Sequence, residues 1–288
     1  MDTRTIHLQI KNNHFFNPFL SATVLIPFFI WAFWPVALDL VDTWNGNEDY
    51  SHGFFIIPVC CYLIWKKNQS ANLSTEHFSW FGLLVVIIGL VLYLTGLFSQ
   101  FRTLANLSLV IVIWASLIFL FGISFLKNHS WELFLLIFML PIPSRLYASI
   151  TLPLQLVVTK ISYMALQVMG IPVYREGNLL QLPNTTLEVI NACSGLRSIL
   201  TIIVLAFVMA CLIFRHHWQR FLLVCCAIPL AMLANLIRVA VIAILAHHGN
   251  TSFIDGTGHT LLGLGLFGLS LSLLFISARA IEWIFPEK

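Results

Sequence analysis

FLLVCCAIPLAMLANLIRVAVIAILA, the stretch Phe221–Ala246, carries one charged side chain, Arg238, in an otherwise apolar run. A bilayer core about 30 Å thick takes about 20 apolar residues as a helix rising 1.5 Å each, so the run reads as a transmembrane helix. Working outward, Leu20–Leu40, Trp80–Phe98, Leu104–Leu126, Ile199–Phe214 and Leu261–Ile281 read the same way. Phe54–Trp65 is apolar but short, and borrows Tyr50–Gly53 to complete a span. Trp131–Gly170 is too long for one straight helix, and Pro141, Pro143 and Pro153 interrupt it. Trp131–Leu140 extended by Pro141–Tyr147 makes a span. Ala148–Met169, with Gln155, Thr159, Lys160 and Gln167 among its apolar residues, suits an interfacial or interior helix.

The composition agrees. Of 288 residues, 59% are hydrophobic and 9% charged, against about 25% charged in a soluble domain. The mean hydropathy is +0.90. Too few polar side chains exist to coat a globular surface, which excludes a soluble enzyme, a disordered chain and a basic-patch nucleic-acid binder. The net charge of +3 rests on few charges and says little about partners. The expected fold class is an all-α polytopic membrane protein of about eight transmembrane helices, one integral-membrane domain over residues 1–288. Leu20–Leu40 is long for a signal sequence, contains Pro27 and Pro35, and lacks a small-residue cleavage site after it.

Lys and Arg set the orientation. Arg4 and Lys11 precede the first span, Lys66 and Lys67 follow the second, Lys127 the fourth, Arg215 and Arg220 the sixth, and Arg279 and Lys288 the last. Eight spans place all of these, and both termini, in the cytoplasm. Arg102 is the exception.

Cys60, Cys61, Cys211, Cys225 and Cys226 lie inside apolar spans, where a thiol is usually a packing residue. Cys193 differs. It stands in Asn191-Ala192-Cys193-Ser194-Gly195-Leu196-Arg197-Ser198, between a polar loop and a span. A helix N-terminus and a nearby cation both stabilise a thiolate, and Arg197 four residues on shares its helical face. Taken alone, the motif slightly favours a plain helix cap by Ser194 and Gly195, with Cys193 as filler. Arg238 shifts that balance. It sits about 12 Å from the end of its span, where a guanidinium costs about 3 kcal/mol and marks a functional site by default. Snorkelling to the interface would leave the neighbouring Asn235 unexplained. His259, in Asp255-Gly256-Thr257-Gly258-His259, precedes the last span. Whatever the earlier span count, Cys193, Arg238 and His259 fall on one side of the membrane, and the Lys/Arg pattern makes it the non-cytoplasmic side. A thiol, a base and a buried cation match the needs of acyl transfer. His52 and Asp49 share that face. Upstream, Val173–Glu176, Leu179–Leu182 and Thr186–Ile190 are β-prone runs split by turn residues, a hairpin or meander that holds Cys193 and offers a strand edge to a peptide.

At these residues the sequence resembles the exosortase family, with archaeosortases as distant relatives. Tyr50-Ser51-His52-Gly53, Leu140-Pro141-Ile142-Pro143-Ser144, Glu176-Gly177-Asn178, Ala192-Cys193-Ser194-Gly195, Asn235-Leu236-Ile237-Arg238-Val239 and Gly258-His259 carry the resemblance. It implies a bacterial inner-membrane cysteine transpeptidase with its active site on the periplasmic face. Its implied substrates are exported proteins ending in a Pro-Glu-Pro signature, one transmembrane helix and a basic cluster (PEP-CTERM). The resemblance also implies Cys193, Arg238 and His259 as catalytic residues, a thioacyl-enzyme, an acceptor of unknown identity, and a link to exopolysaccharide and biofilm production. Arg197, Asn235 and His52 are the supporting candidates. No metal or organic cofactor, and no nucleic acid, is expected; membrane lipid is. Some family members add a C-terminal soluble domain, which the few residues after Ile281 do not supply. Two other readings compete: a non-enzymatic transporter or assembly factor for exopolysaccharide export, and an acyltransferase that uses His259 and not Cys193.

Overall fold

The structure, a computed structural model, describes residues 26–69, 79–183, 185–188, 195–249, 253 and 256–286. The chain forms two compact units, one from residues 1–45 with 64–140, the other from residues 46–63 with 141–288.

In the first unit, helices α1 (Ile26–Ala32) and α2 (Trp34–Gly46) meet at a 63° bend. The first expected span therefore breaks at Phe33 and runs on to Gly46; its residues 20–25 lie outside the described residues. Pro35 causes the break, because it has no N–H for the carbonyl four residues back and its ring crowds that carbonyl. Tyr93 donates to the Ala32 carbonyl at 2.5 Å. Helix α3 (Gly53–Asn68) contributes its last turn to this unit.

Helices α4 (Trp80–Phe98) and α5 (Arg102–Phe121) form a tight antiparallel pair. Gly82, Gly89 and Gly96 face Phe119, Val112 and Ala105, and a Cβ on any of the three would come within 3.0 Å of its opposite number. Between membrane helices, where hydrocarbon tails are as apolar as Leu, this close van der Waals approach is the main source of attraction. The expected span Leu104–Leu126 is cut short at Gly122, whose φ of 83° ends α5. Helices α6 (Ile123–Asn128) and α7 (Ser130–Phe134) follow, the latter continuing as a 3-10 helix over Leu135–Met139. Lys67 donates to the Asn128 carbonyl and pairs with the buried Glu132 at 3.1 Å. His129 donates from Nδ1 to the Phe125 carbonyl at 3.0 Å and contacts the Asn68 carboxamide at 2.8 Å. Burial pushes the His129 pKa down, with Lys67 adding to the effect and the Phe125 bond and Glu132 opposing it.

The second unit opens with a 3-10 turn, Glu48–Tyr50, capped by the Asn47 side chain. Helix α8 (Ser144–Val168) is continuous and accommodates Pro153. The expected break of Trp131–Gly170 thus falls at Pro141 and Pro143 alone, because each lacks an N–H where the chain leaves the 3-10 helix. Strands β1 (Tyr174–Glu176), β2 (Leu179–Leu182) and β3 (Thr185–Glu188) form an antiparallel meander in the order β1-β2-β3, with Arg175 opposite Leu180 and Leu180 opposite Leu187. The three expected β-prone runs are these strands, though residues 189–190 of the last lie outside the described residues. Leu180, Leu182 and Leu187 alternate to one face and bury against Val158 and Leu166 of α8. Helices α9 (Gly195–Ile213), α10 (His217–His247) and α11 (Thr257–Ile284) complete the unit. Val239, Ile242, Ala243 and Ala246 of α10 join the core under the sheet, so the meander sits over the half of α10 that follows Arg238. A second core, with Ala206, Ala210, Ala227, Ala231, Leu274 and Ala278, holds α9, α10 and α11 together.

By length and composition, five described helices can cross a membrane: α4, α5, α8, α10 and α11. The bent pair α1–α2 makes a sixth. Eight were expected. Among the described residues, Ser130–Met139 is apolar but shorter than a full span, and α3 has 16 residues, about 24 Å of rise; α9 runs for 19 residues, but its side chains are described only from Ile199 on. The correction runs the other way for Ala148–Met169, which belongs to a helix long enough to cross.

Candidate active site

Arg238 and His259 come from helices consecutive in the chain. After α10 the chain passes Gly249 and Gly256, with φ of 83° and 78°, and enters α11, whose first turn carries His259. Side chains with a Cβ rarely adopt such φ values, so both positions favour glycine. Arg238 Nη2 lies 2.7 Å from His259 Nε2. A guanidinium can only donate, so Nε2 accepts and the neutral ring carries its proton on Nδ1. That proton faces the Phe253 carbonyl at 3.2 Å. One turn along α11, Gly263 makes room for the guanidinium: a Cβ there would stand 3.1 Å from Nη2. Arg238 Nε is shut from solvent with no partner among the described residues.

Asn235 lies three residues before Arg238 and so shares its helical face. It is buried and borders two small cavities. One, between α9, α10 and α11, is also lined by Ile202, Arg238, Gly263 and Ser270. The other, between α8, α9 and α10, is lined by Thr151, Gln155, Ile199 and Met232. Helix α9 therefore runs beside the Arg238–His259 pair. Cys193, two positions ahead of that helix, lies outside the described residues, as does the side chain of Arg197, whose backbone is in the first turn of α9. His52 is half-buried in the turn before α3, and the adjoining 3-10 turn touches α9.

Some contacts were not legible in the sequence. The Tyr50 hydroxyl accepts from the Ile142 N–H at 3.2 Å, and Tyr147 donates to Asp49 Oδ2 at 2.8 Å. The two motifs Tyr50-Ser51-His52-Gly53 and Leu140-Pro141-Ile142-Pro143-Ser144 thus meet in space. Burial raises the Tyr50 pKa and Asp49 raises it further, against the Ile142 bond, so Tyr50 stays a neutral phenol. Gly263 gave no sequence signal beyond being a glycine in an apolar run. Phe253, as a backbone acceptor, gave none.

Residues 44–276 match the family model described as transmembrane exosortase. No curated protein and no solved structure matches the chain.

Proposed function

The chain belongs to the transmembrane exosortase family, and from that premise we propose that it is a membrane-embedded cysteine peptidase or transpeptidase with Cys193 as nucleophile, His259 as proton carrier and Arg238 as the cation at the reacting carbonyl. The observation that carries this reading is the 2.7 Å contact between Arg238 and His259, beside the helix that Cys193 precedes. The Cys193 proton passes to His259 Nε2, and the thiolate attacks the peptide carbonyl. The oxyanion takes N–H bonds from Arg238, whose Nε–H has no other partner among the described residues. The C–N bond breaks, His259 returns its proton to the leaving amine, and a thioacyl-enzyme remains. An acceptor amine, or water, then attacks the thioester and restores the thiol.

The tautomer adds an ordering. In the described arrangement the Nε2 lone pair is engaged by Arg238, so proton uptake from Cys193 requires the pair to part. An incoming carbonyl that draws the guanidinium toward itself frees Nε2 at that moment. Chemistry is thereby tied to substrate arrival.

On this reading the chain acts as one integral-membrane domain of the bacterial inner membrane, about eight spans in all, with its site on the periplasmic face. Its substrates are PEP-CTERM proteins, linked to exopolysaccharide and biofilm production, and an edge of the β1–β3 meander receives the extended peptide. Arg197, Asn235 and His52 support the site. The test is co-expression with a tagged reporter ending in a Pro-Glu-Pro anchor, run beside Cys193→Ala and Cys193→Ser with expression checked. Shortening of the reporter by wild type alone is the expected result. Equal shortening by Cys193→Ala sinks the nucleophile assignment.

A further inference from the structure

In the first unit, a cavity of about 470 Å³ opens between α2, the end of α4 and the start of α5. Its polar walls are Asp39, Gln100, Arg102 and Asn106; Val36 and Leu97 are among the apolar ones. Asp39 stands about 10 Å inside the end of α2. Its side chain is 25% exposed and meets Arg102, the first residue of α5, so the carboxylate lies level with that helix end. Arg102 Nη1 pairs with Asp39 Oδ1 at 3.1 Å, yet the Arg102 side chain is 81% exposed, which leaves most of its N–H groups facing outward. Asn106 is 2% exposed, and among the described residues its amide makes one long contact, Nδ2 to Asp39 Oδ2 at 3.4 Å. This same Arg102 is the cation that breaks the Lys/Arg pattern of the chain.

We propose that this cavity binds the headgroup of an amine-bearing zwitterionic phospholipid, with the ammonium on Asp39 and Asn106 and the phosphate on Arg102. The built-in ion pair need not open. A zwitterion laid antiparallel to it closes a ring of four alternating charges, and both ends gain charge-assisted hydrogen bonds. A choline headgroup has no N–H to give to Asp39, and a glycerol headgroup has no cation, so the walls select a primary amine. Leu38, Leu97, Phe98 and Phe101 are exposed apolar side chains on the same elements and supply the surface for acyl chains, which favours a lipid over a soluble phosphoethanolamine. The cavity shares no residue with the Arg238–His259 pair, and its test does not depend on peptidase activity.

The test is a native mass-spectrometric titration of the detergent-purified full chain with dioleoyl phosphatidylethanolamine, phosphatidylcholine and phosphatidylglycerol, with soluble phosphoethanolamine as a fourth arm. Wild type is expected to hold phosphatidylethanolamine at least about tenfold more tightly than the other two lipids, the scale of one charge-assisted hydrogen bond. Asp39→Asn and Arg102→Gln, each made separately, are expected to erase that preference, and Asn106→Leu to weaken it. Equal binding of all three lipids overturns the proposal, as does an undiminished preference in both charge variants. Soluble phosphoethanolamine competing at equal concentration overturns the lipid source. Should Asp39→Asn fail to fold, Arg102→Gln, at an exposed side chain, decides the matter by the same preference.

Discussion

Two helix pairs, one in each unit, use glycine for opposite ends. Between α4 and α5, Gly82, Gly89 and Gly96 are spaced so that every second turn is closed by carbon against carbon or backbone. Between α10 and α11, Gly263 admits a guanidinium, Asn235 borders a cavity on either side, and a buried N–H is left without a partner among the described residues. The first seam uses its glycines for cohesion. The second holds one buried donor, Arg238 Nε, that has no partner among the described residues, and a buried donor left without one costs about 1–3 kcal/mol. The contrast is between a seam closed by carbon and backbone and a seam that holds a cation.

The comparison breaks first at Arg238. Arg238→Ala or His259→Ala is expected to lower reporter processing by about 10²–10⁴-fold, while each variant stays folded by thermal unfolding. If processing persists at wild-type rate, the polar seam is not a site. Gly82→Ala tests the other side. Its new Cβ meets the Phe119 backbone, which cannot swing away, so a loss of about 1–3 kcal/mol in stability is expected, with processing per folded molecule unchanged. Gly263→Ala sharpens the distinction, since the same substitution should cost activity rather than stability. Its Cβ presses on a side-chain tip at 3.1 Å, so roughly a tenfold drop in processing at an almost unaltered unfolding midpoint is expected. Equal losses of stability in both alanine variants would erase the difference between the two seams.

The smallest effect concerns pH. His129 has a folded-state pKa below its ordinary 6.5. As pH falls through 6.5 the unfolded chain takes up the proton first, so the folded state loses stability from there down to the folded pKa and is unaffected above. His129→Gln should flatten the slope of unfolding midpoint against pH below 6.5. An identical slope in wild type and variant removes His129 from that account.

Much of this was legible in the chain itself. Trp80–Phe98 is a helix with the bounds its hydropathy suggests, and the strands formed where turn residues split the β-prone runs. Arg238 and His259 meet, as connectivity required them to share one side. Periodicity could not show where a long apolar run bends. A break falls near Pro35 between the first two helices, whereas Pro58, Pro153 and Pro229 lie inside continuous helices, so the presence of a proline alone does not locate a bend. The seven-residue spacing of Gly82, Gly89 and Gly96 acquires meaning only once Phe119, Val112 and Ala105 stand opposite. Arg102 looked like an anomaly until Asp39, far from it in sequence, supplied its partner.

The order in which α10 and α11 are made has a consequence for biogenesis. Arg238 is synthesised before His259 and Gly263 exist, so α10 must enter the bilayer carrying an unmatched guanidinium. Insertion of an Arg near mid-helix costs about 2.5–3.5 kcal/mol, while each Leu, Ile, Val or Phe returns about 0.3–0.6 kcal/mol. The mean hydropathy of 2.3 over its most apolar window lets this helix pass on its own terms. A helix of the same length with fewer aliphatic residues would stall at the translocon. The aliphatic content of α10 thus serves the moment of insertion as well as the folded state, and one buried cation constrains residues that never touch it.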